Sequence, residues 1–500
     1  MSTTETKPWL IDGRTGATST YGELLDAVNR GAVRPLCQPA STRDALLEIA
    51  MALAHGAELT LFDRDFSGQE LAALGFSREA VDGETVNRRQ TDWPQEGAKD
   101  ARGEGASEPA GLQEGGTGKI TLEALMRAAA GGSQARLGLF TSGSTGLPKL
   151  VWQTAANLSR TVRVSPRHAE AVWAFAYNPT HMAGIQVYLQ ALANGSTLVD
   201  VYGLERAAVL AAIERHGITH ISATPSFYRL LLPVEHPLSG VRSVTLGGES
   251  SDAKLLDRLR GLFPNARFHN IYASTEAGAL LAAEGDVFAI AAGLEDKVAV
   301  RDGRLRVHRS LLGEFANAAF PTPPVTGDQL SGIGSPPTEK PLQPTSNFQQ
   351  QITNTPEPTT SAAAADWYDT GDVVEIVSEA PLRFRIVARE RDWVNVGGSK
   401  VNPREVEAVL EEHPLVRQAR VFGRTNSVTG HLLCAEIVAE QDQRPGTKDQ
   451  RLTEAELREW LGARLQPFKV PRLIRFVDDI AQTRTGKVSR SDGRQWTEDR

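Results

Sequence analysis

Cysteine is nearly absent: Cys37 and Cys434 stand alone and far apart. Two thiols exclude a disulfide framework and a cysteine-built metal cluster, and they suit a reducing compartment. Basic residues are not in excess either. The 54 Lys and Arg against 61 Asp and Glu leave a net charge of -7. With no basic stripe, binding driven by nucleic-acid phosphates is excluded. No stretch approaches the roughly eighteen apolar residues of a spanning helix. The start, MSTTETKPWLIDG, lacks the basic head and apolar run of a secretory signal. A cytoplasmic protein with no membrane span and no nucleic-acid partner is expected. Its 500 residues are too many for one hydrophobic core, so at least two domains are expected.

What is present is an alternation of helical and strand-like apolar runs. Residues 43–52 read as an amphipathic helix and ELTLFD at 58–63 as a strand; 207–217 and 218–223 repeat the pair, and SVTLGG follows at 243–248. Strands separated by helices predict an α/β fold with parallel sheets. Two segments break the rhythm. Residues 90–118 are rich in Gly, Glu and Gln, and 321–365 in Pro, Thr, Ser and Gln. Neither holds enough apolar surface to offset ordering entropy, so both read as mobile insertions. The string EGGTGKIT inside the first is no phosphate loop of the Walker type, because Gln113 stands where the first Gly belongs and Ile120 follows Lys119. After residue 390 the pattern restarts as a compact α+β unit. Helices are expected over 403–413 and 453–465, and strands at ARVFG, LLCAEIVA and RLIRFVDD.

One segment stands out chemically. In LGLFTSGSTGLPKLVWQT, 137–154, an apolar strand runs into Thr141, Ser142, Gly143, Ser144, Thr145 and Gly146, with Lys149 three residues on. Small residues allow close backbone approach to a polyphosphate, hydroxyls and amides supply donors, and Lys149 adds a point charge. Walker spacing is ruled out, since Pro148 stands five residues after Gly143.

This segment resembles the phosphate-binding signature of the adenylate-forming superfamily: acyl- and aryl-CoA ligases, peptide-synthetase adenylation domains and luciferases. Further segments match in the same order and together span about 137–490. The resemblance implies a large N-terminal AMP-binding domain, 1–389, and a small mobile C-terminal lid, 390–500. NPTHMAG at 178–184 resembles the segment that carries an active-site aromatic or His, which would place His181 beside the acyl pocket as a gate. LGGES at 246–250 resembles the strand end walling the adenine and acyl pockets, with Gly247 and Gly248 permitting close approach. IYASTEAG at 271–278 is similar to Tyr-Gly-x-Thr-Glu, so Tyr272 would stack on adenine, Thr275 bond phosphate and Glu276 hold Mg²⁺. Ala273 replaces the usual Gly, which puts only the local backbone shape in question. In WYDTGD, Asp372 corresponds to the ribose-binding carboxylate, and Arg389, seventeen residues on, to the Arg that accompanies it; Ala388 departs from the usual Gly. Arg391 and Asp392 mark the expected hinge. Lys487 in QTRTGKVSR would bridge the attacking carboxylate and the phosphate.

Through this resemblance the chain is expected to bind ATP and Mg²⁺, join AMP to a small carboxylic acid, and pass the acyl group to a thiol. Gly397 and Gly398 in VNVGGSKVNPREVEAVL would line a channel for the pantetheine arm. That segment is closer to acyl-CoA ligases and favours coenzyme A; LGGES keeps a pantetheinyl acyl-carrier protein open as acceptor. A degenerate member that binds nucleotide without turnover is the second alternative, and oxidation or transfer to an amine a third. His181, Met182, Ser226, Phe227, Gly248 and Ala273 are the expected acyl-pocket lining, suited to an aryl or medium-length acid.

Overall fold

A computed structural model describes residues 4–64, 66–78, 81, 119–141, 149–233, 236–249, 251, 253–283, 285–290, 293–315, 366–389, 392–396, 399–426, 430–440 and 452–480. Both compositional insertions, Ser142 to Gly146, Gly397, Gly398, Arg391 and Lys487 lie outside the described residues.

The apolar runs form the elements their periods predict. The helix at 43–52 extends over Thr42–His55; Ser41 accepts from the Asp44 amide at its start, and Gly56, at φ 63°, ends it. The strand after it is Glu58–Leu61. Helix Arg206–Arg215 and strands His220–Ala223 and Ser243–Gly247 follow as expected.

One mainly parallel sheet and one mixed sheet result, giving the large N-terminal domain its α/β character. The larger sheet has eight strands. Six of them run parallel, in the order Arg267–Ser274, Ser243–Gly247, His220–Ala223, Val172–Phe175, Thr197–Asp200, Pro8–Asp12, and an antiparallel strand closes each edge. In the second sheet Leu36–Cys37, Glu58–Leu61 and Arg136–Thr141 are parallel, and Lys149–Thr154 returns antiparallel with Thr141 opposite Lys149. Residues 142–148 join these two strands along the chain. Alongside these stands a third, wholly antiparallel sheet of five strands that contains Trp367–Glu379 and Leu382–Arg389.

Beyond residue 392 a fourth sheet, with helices Pro403–Glu411 and Glu454–Gly462, closes on its own core of Val401, Val406, Leu410, Val421, Leu433, Ile437, Leu457 and Leu461. A separate core is what a small, independently packed C-terminal domain needs. Cys37 and Cys434 are buried and free, and burial pushes the Cys37 thiol up to about 11. Among the described residues no helix is long and apolar enough to cross a membrane.

Candidate active site

Parallel strands deliver their following loops to one edge, and ligands bind at that edge in open α/β sheets. Thr141, Gly248, Ser274 and Thr275 all stand at or just past such strand ends. They help wall a cavity of about 740 Å³ between the large and small domains. Tyr272, Ala273, Glu276, Asp372 and Arg389 line it from the same side; Arg404, Glu407, Glu411 and Gln418 line it from the small domain.

Gly248 sits at φ 82°, the left-handed region that favours glycine. Its lack of a Cβ therefore matters for backbone shape. Gly247 ends its strand beside Tyr177, whose hydroxyl would lie 3.5 Å from an added Cβ.

Asp372 and Arg389 are distant in sequence but directly opposite across the hairpin of the third sheet. The seventeen-residue spacing is thus a cross-strand register. Arg389 Nε donates to Asp372 Oδ1 at 2.7 Å, and the Tyr272 hydroxyl donates to Oδ2 at 2.6 Å. Asp372 is 2% exposed, so its charge is buried with both partners in place. Burial works against the Arg389 cation, but the adjacent Asp372 carboxylate more than compensates and raises it. The Tyr272 phenol is driven up by burial first and by Asp372 second.

Thr275 and Glu276 are held by their backbones. Gln153, fully buried, donates Nε2 to the Thr275 carbonyl at 2.7 Å and to the Glu276 carbonyl at 3.0 Å. The Gly313 amide donates to the same Glu276 carbonyl at 2.7 Å. Glu276 is one of the residues that line the cavity. Among the described residues no group of three or more His, Cys, Asp or Glu could hold a metal by itself. One carboxylate suits Mg²⁺, which keeps water ligands and takes others from substrate phosphates.

The structure does not bring every expected residue to this cavity. His181, Met182, Ser226 and Phe227 are not among its lining residues. Met182 is buried in the main core, and Phe227 packs on the core beneath the eight-stranded sheet. Ser226 is fully buried, and its amide and hydroxyl donate to Glu249 Oε2 at 3.0 and 2.7 Å. Gly248 and Ala273 remain from the expected acyl lining. His181 immediately precedes helix Met182–Asn194, its ring bonded to Asp63. Lys149 is exposed at the start of its strand, across from Thr141.

Several participating residues had no distinguishing sequence signal. Glu249, inside LGGES, lines the cavity and brings a further carboxylate to it. Gln153 was inside the quoted 137–154 segment, but only its inward position on the strand shows what it holds. Across the domain boundary, Arg229 Nη2 meets Glu411 Oε2 at 3.1 Å, and Lys254 donates to the Glu411 carbonyl. Arg258 faces Glu440 at 3.7 Å. The Arg229–Glu411 pair is largely shielded from solvent, so it should help hold the two domains together. Glu411→Lys is expected to shift the solution ensemble to a larger radius of gyration by X-ray scattering, and adding Arg229→Glu to reverse part of the shift. Indifference of both variants would show that the pair holds nothing.

Family models decide what this arrangement belongs to. One for AMP-binding enzymes matches residues 48–300, and one for the AMP-binding enzyme C-terminal domain matches 405–487. The chain belongs to the AMP-binding enzyme family. Among its relatives is the mitochondrial acyl-coenzyme A synthetase ACSM1 of Mus musculus, 26% identical over 71% of this chain and 60% of the relative. Feruloyl-CoA synthase of Amycolatopsis sp is 28% identical over 71% of this chain and 69% of the relative. The chain thus spans less than two thirds of the length of the first of these relatives. In fold it is similar to o-succinylbenzoate CoA synthetase (MenE) of Bacillus subtilis in complex with its acyl-adenylate intermediate, with a TM-score of 0.61 and 18% identity over 98% of this chain and 96% of that one. ATP-bound MatB of Rhodopseudomonas palustris is similar too, with a TM-score of 0.63 and 16% identity over 98% and 95%. A member of the AMP-binding enzyme family, with a large N-terminal and a small C-terminal domain, is what these findings establish.

Proposed function

We propose that this AMP-binding enzyme activates a carboxylic acid with ATP as acyl-AMP, releasing pyrophosphate, and then transfers the acyl group to the thiol of coenzyme A. The observation that carries the reading is the interdomain cavity in which Thr141, Thr275, Glu276, Asp372 and Arg389 meet although the sequence spreads them over 249 residues. The names of the CoA-forming relatives favour that acceptor.

Two anions must join in the first step, and no protein nucleophile is needed. The carboxylate attacks the α-phosphate and pyrophosphate leaves, so the enzyme supplies positioning and charge. In this reading the 141–146 segment and Lys149 cradle the leaving phosphates, and Thr275 donates to phosphate. Glu276 would hold Mg²⁺, which offsets phosphate charge when bound. Asp372, fixed between Arg389 and Tyr272, faces the ribose, and Tyr272 borders the adenine. Lys487 neutralises charge at the phosphorus. We further propose that the domains divide at 389/390 and that the small one turns about Arg391 and Asp392 between the half-reactions. The turn would withdraw Lys487 and bring Gly397 and Gly398 to the thiol path. The two strands flanking those glycines, Val394–Val396 and Ser399–Val401, pair antiparallel with Val396 opposite Ser399.

The test is pyrophosphate release with ATP, Mg²⁺ and a panel of aryl and medium-length acids, followed by acyl transfer to coenzyme A or to a pantetheinyl carrier protein. Tight ATP binding without release for any acid would instead establish a nucleotide-binding member without turnover. Release followed by loading of the carrier protein alone would reassign the acceptor.

A further inference from the structure

One buried carboxylate lies outside the chemistry described above, where the eight-stranded sheet meets the second sheet. Asp63 follows strand Glu58–Leu61 by two residues. Thr60 pairs with Gly138 in parallel register, so Asp63 and Thr141 each stand three residues further along neighbouring chain paths. Asp63 therefore stands level with Thr141, which lines the cavity, although Asp63 itself does not. His181 arrives from the other sheet, in the turn between strand Val172–Phe175 and helix Met182–Asn194.

The contacts are specific. His181 Nε2 lies 2.9 Å from both Oδ1 and Oδ2 of Asp63. Asn178 Nδ2 donates to Oδ1 at 2.8 Å, and the Thr180 hydroxyl donates to the same oxygen. Three of the four residues of the Asn-Pro-Thr-His turn thus converge on one carboxylate that is 5% exposed. Burial pushes the Asp63 carboxyl up, but the hydrogen bonds and charge of His181, with those of Thr180 and Asn178, prevail and hold it below the usual carboxylate range.

We propose that Asp63 is a positioning residue for acid activation: it pins the His181 ring through Nε2. The inference rests on the acyl-activating reading above. Pinning a ring by one nitrogen also selects its tautomer, because a carboxylate accepts only from a protonated nitrogen.

Asp63→Asn tests this with little change in shape. The amide offers its NH₂ to the ring, so Nε2–H is no longer enforced. The kcat for pyrophosphate release is expected to fall about 10- to 100-fold while KM for ATP stays within about twofold. ¹⁵N spectra of the imidazole should lose the Nε2–H form that dominates the wild type. Because Asp63 acts through the ring, adding Asp63→Asn to His181→Ala should cost nothing further. An unchanged kcat in folded Asp63→Asn would overturn the proposal, even with a lowered Tm. So would an unaltered ring spectrum, or a full second loss in the double variant. Wild-type release with an indifferent Asp63→Asn removes this role alone; a wild type that releases no pyrophosphate from any acid removes acid activation and this role together.

Discussion

Lys487→Ala is expected to lower pyrophosphate release at least about 10³-fold while leaving acyl transfer from supplied acyl-AMP within about twofold of wild type. The asymmetry follows from where charge accumulates. In adenylation a carboxylate approaches an already anionic phosphate, and the pentacoordinate centre gathers more negative charge. A positioned cation in a water-poor cleft is worth several kcal/mol there. In thiol transfer the acyl-AMP is already formed, AMP leaves as a stable anion, and in the two-state scheme the lysine has been carried away. Single-turnover assays of each half-reaction measure the two separately. Equal loss of both would contradict a rotation that divides them.

Asp372→Ala is expected to weaken ATP binding at least about 100-fold and to lower folding stability by about 3 kcal/mol. Its carboxylate takes Arg389 Nε on one oxygen and the Tyr272 hydroxyl on the other. Removing it leaves a guanidinium whose side chain is 25% exposed facing a cavity without its counter-charge. The Tyr272 phenol would also lose its acceptor at a site only 9% exposed. Tyr272→Phe is the control: the ring stays packed with Leu281, Phe288 and Phe384 and one hydrogen bond is lost, for about 1 kcal/mol. Isothermal titration with ATP and chemical denaturation check the two effects. Nucleotide affinity unchanged in Asp372→Ala would remove this carboxylate from the proposed ribose site.

How legible the site was in the sequence differs from residue to residue. The strand ends were readable because a strand needs only a few apolar residues and a small-residue stop. SVTLGG became Ser243–Gly247 followed by Gly248 at positive φ, and LGLFT became Arg136–Thr141. The resemblance paired Asp372 with Arg389, and their direct opposition across a hairpin has a local cause in the turn at Ala380 and Pro381. The expected acyl lining fared less well. Ser226 and Met182 are small or apolar residues, and only packing shows that Met182 is turned into the core and Ser226 buried against Glu249. Asp63 was invisible for a related reason: in ELTLFD it reads as the polar end of a strand, and its partners lie 115 to 118 residues away.

Local chemistry along the chain determined the fold class and the separate compact unit after residue 390. Each depends on periodicity, small-residue stops or spacing over a few dozen residues, which short-range sterics and apolar burial control. Tertiary structure alone decided which side chains meet. It set His181 on Asp63, Gln153 beneath Thr275 and Glu276, and Arg229 across from Glu411. Such pairings join strands and domains that come together only when sheets stack and loops converge, and no residue carries a mark of a partner it meets only after that convergence.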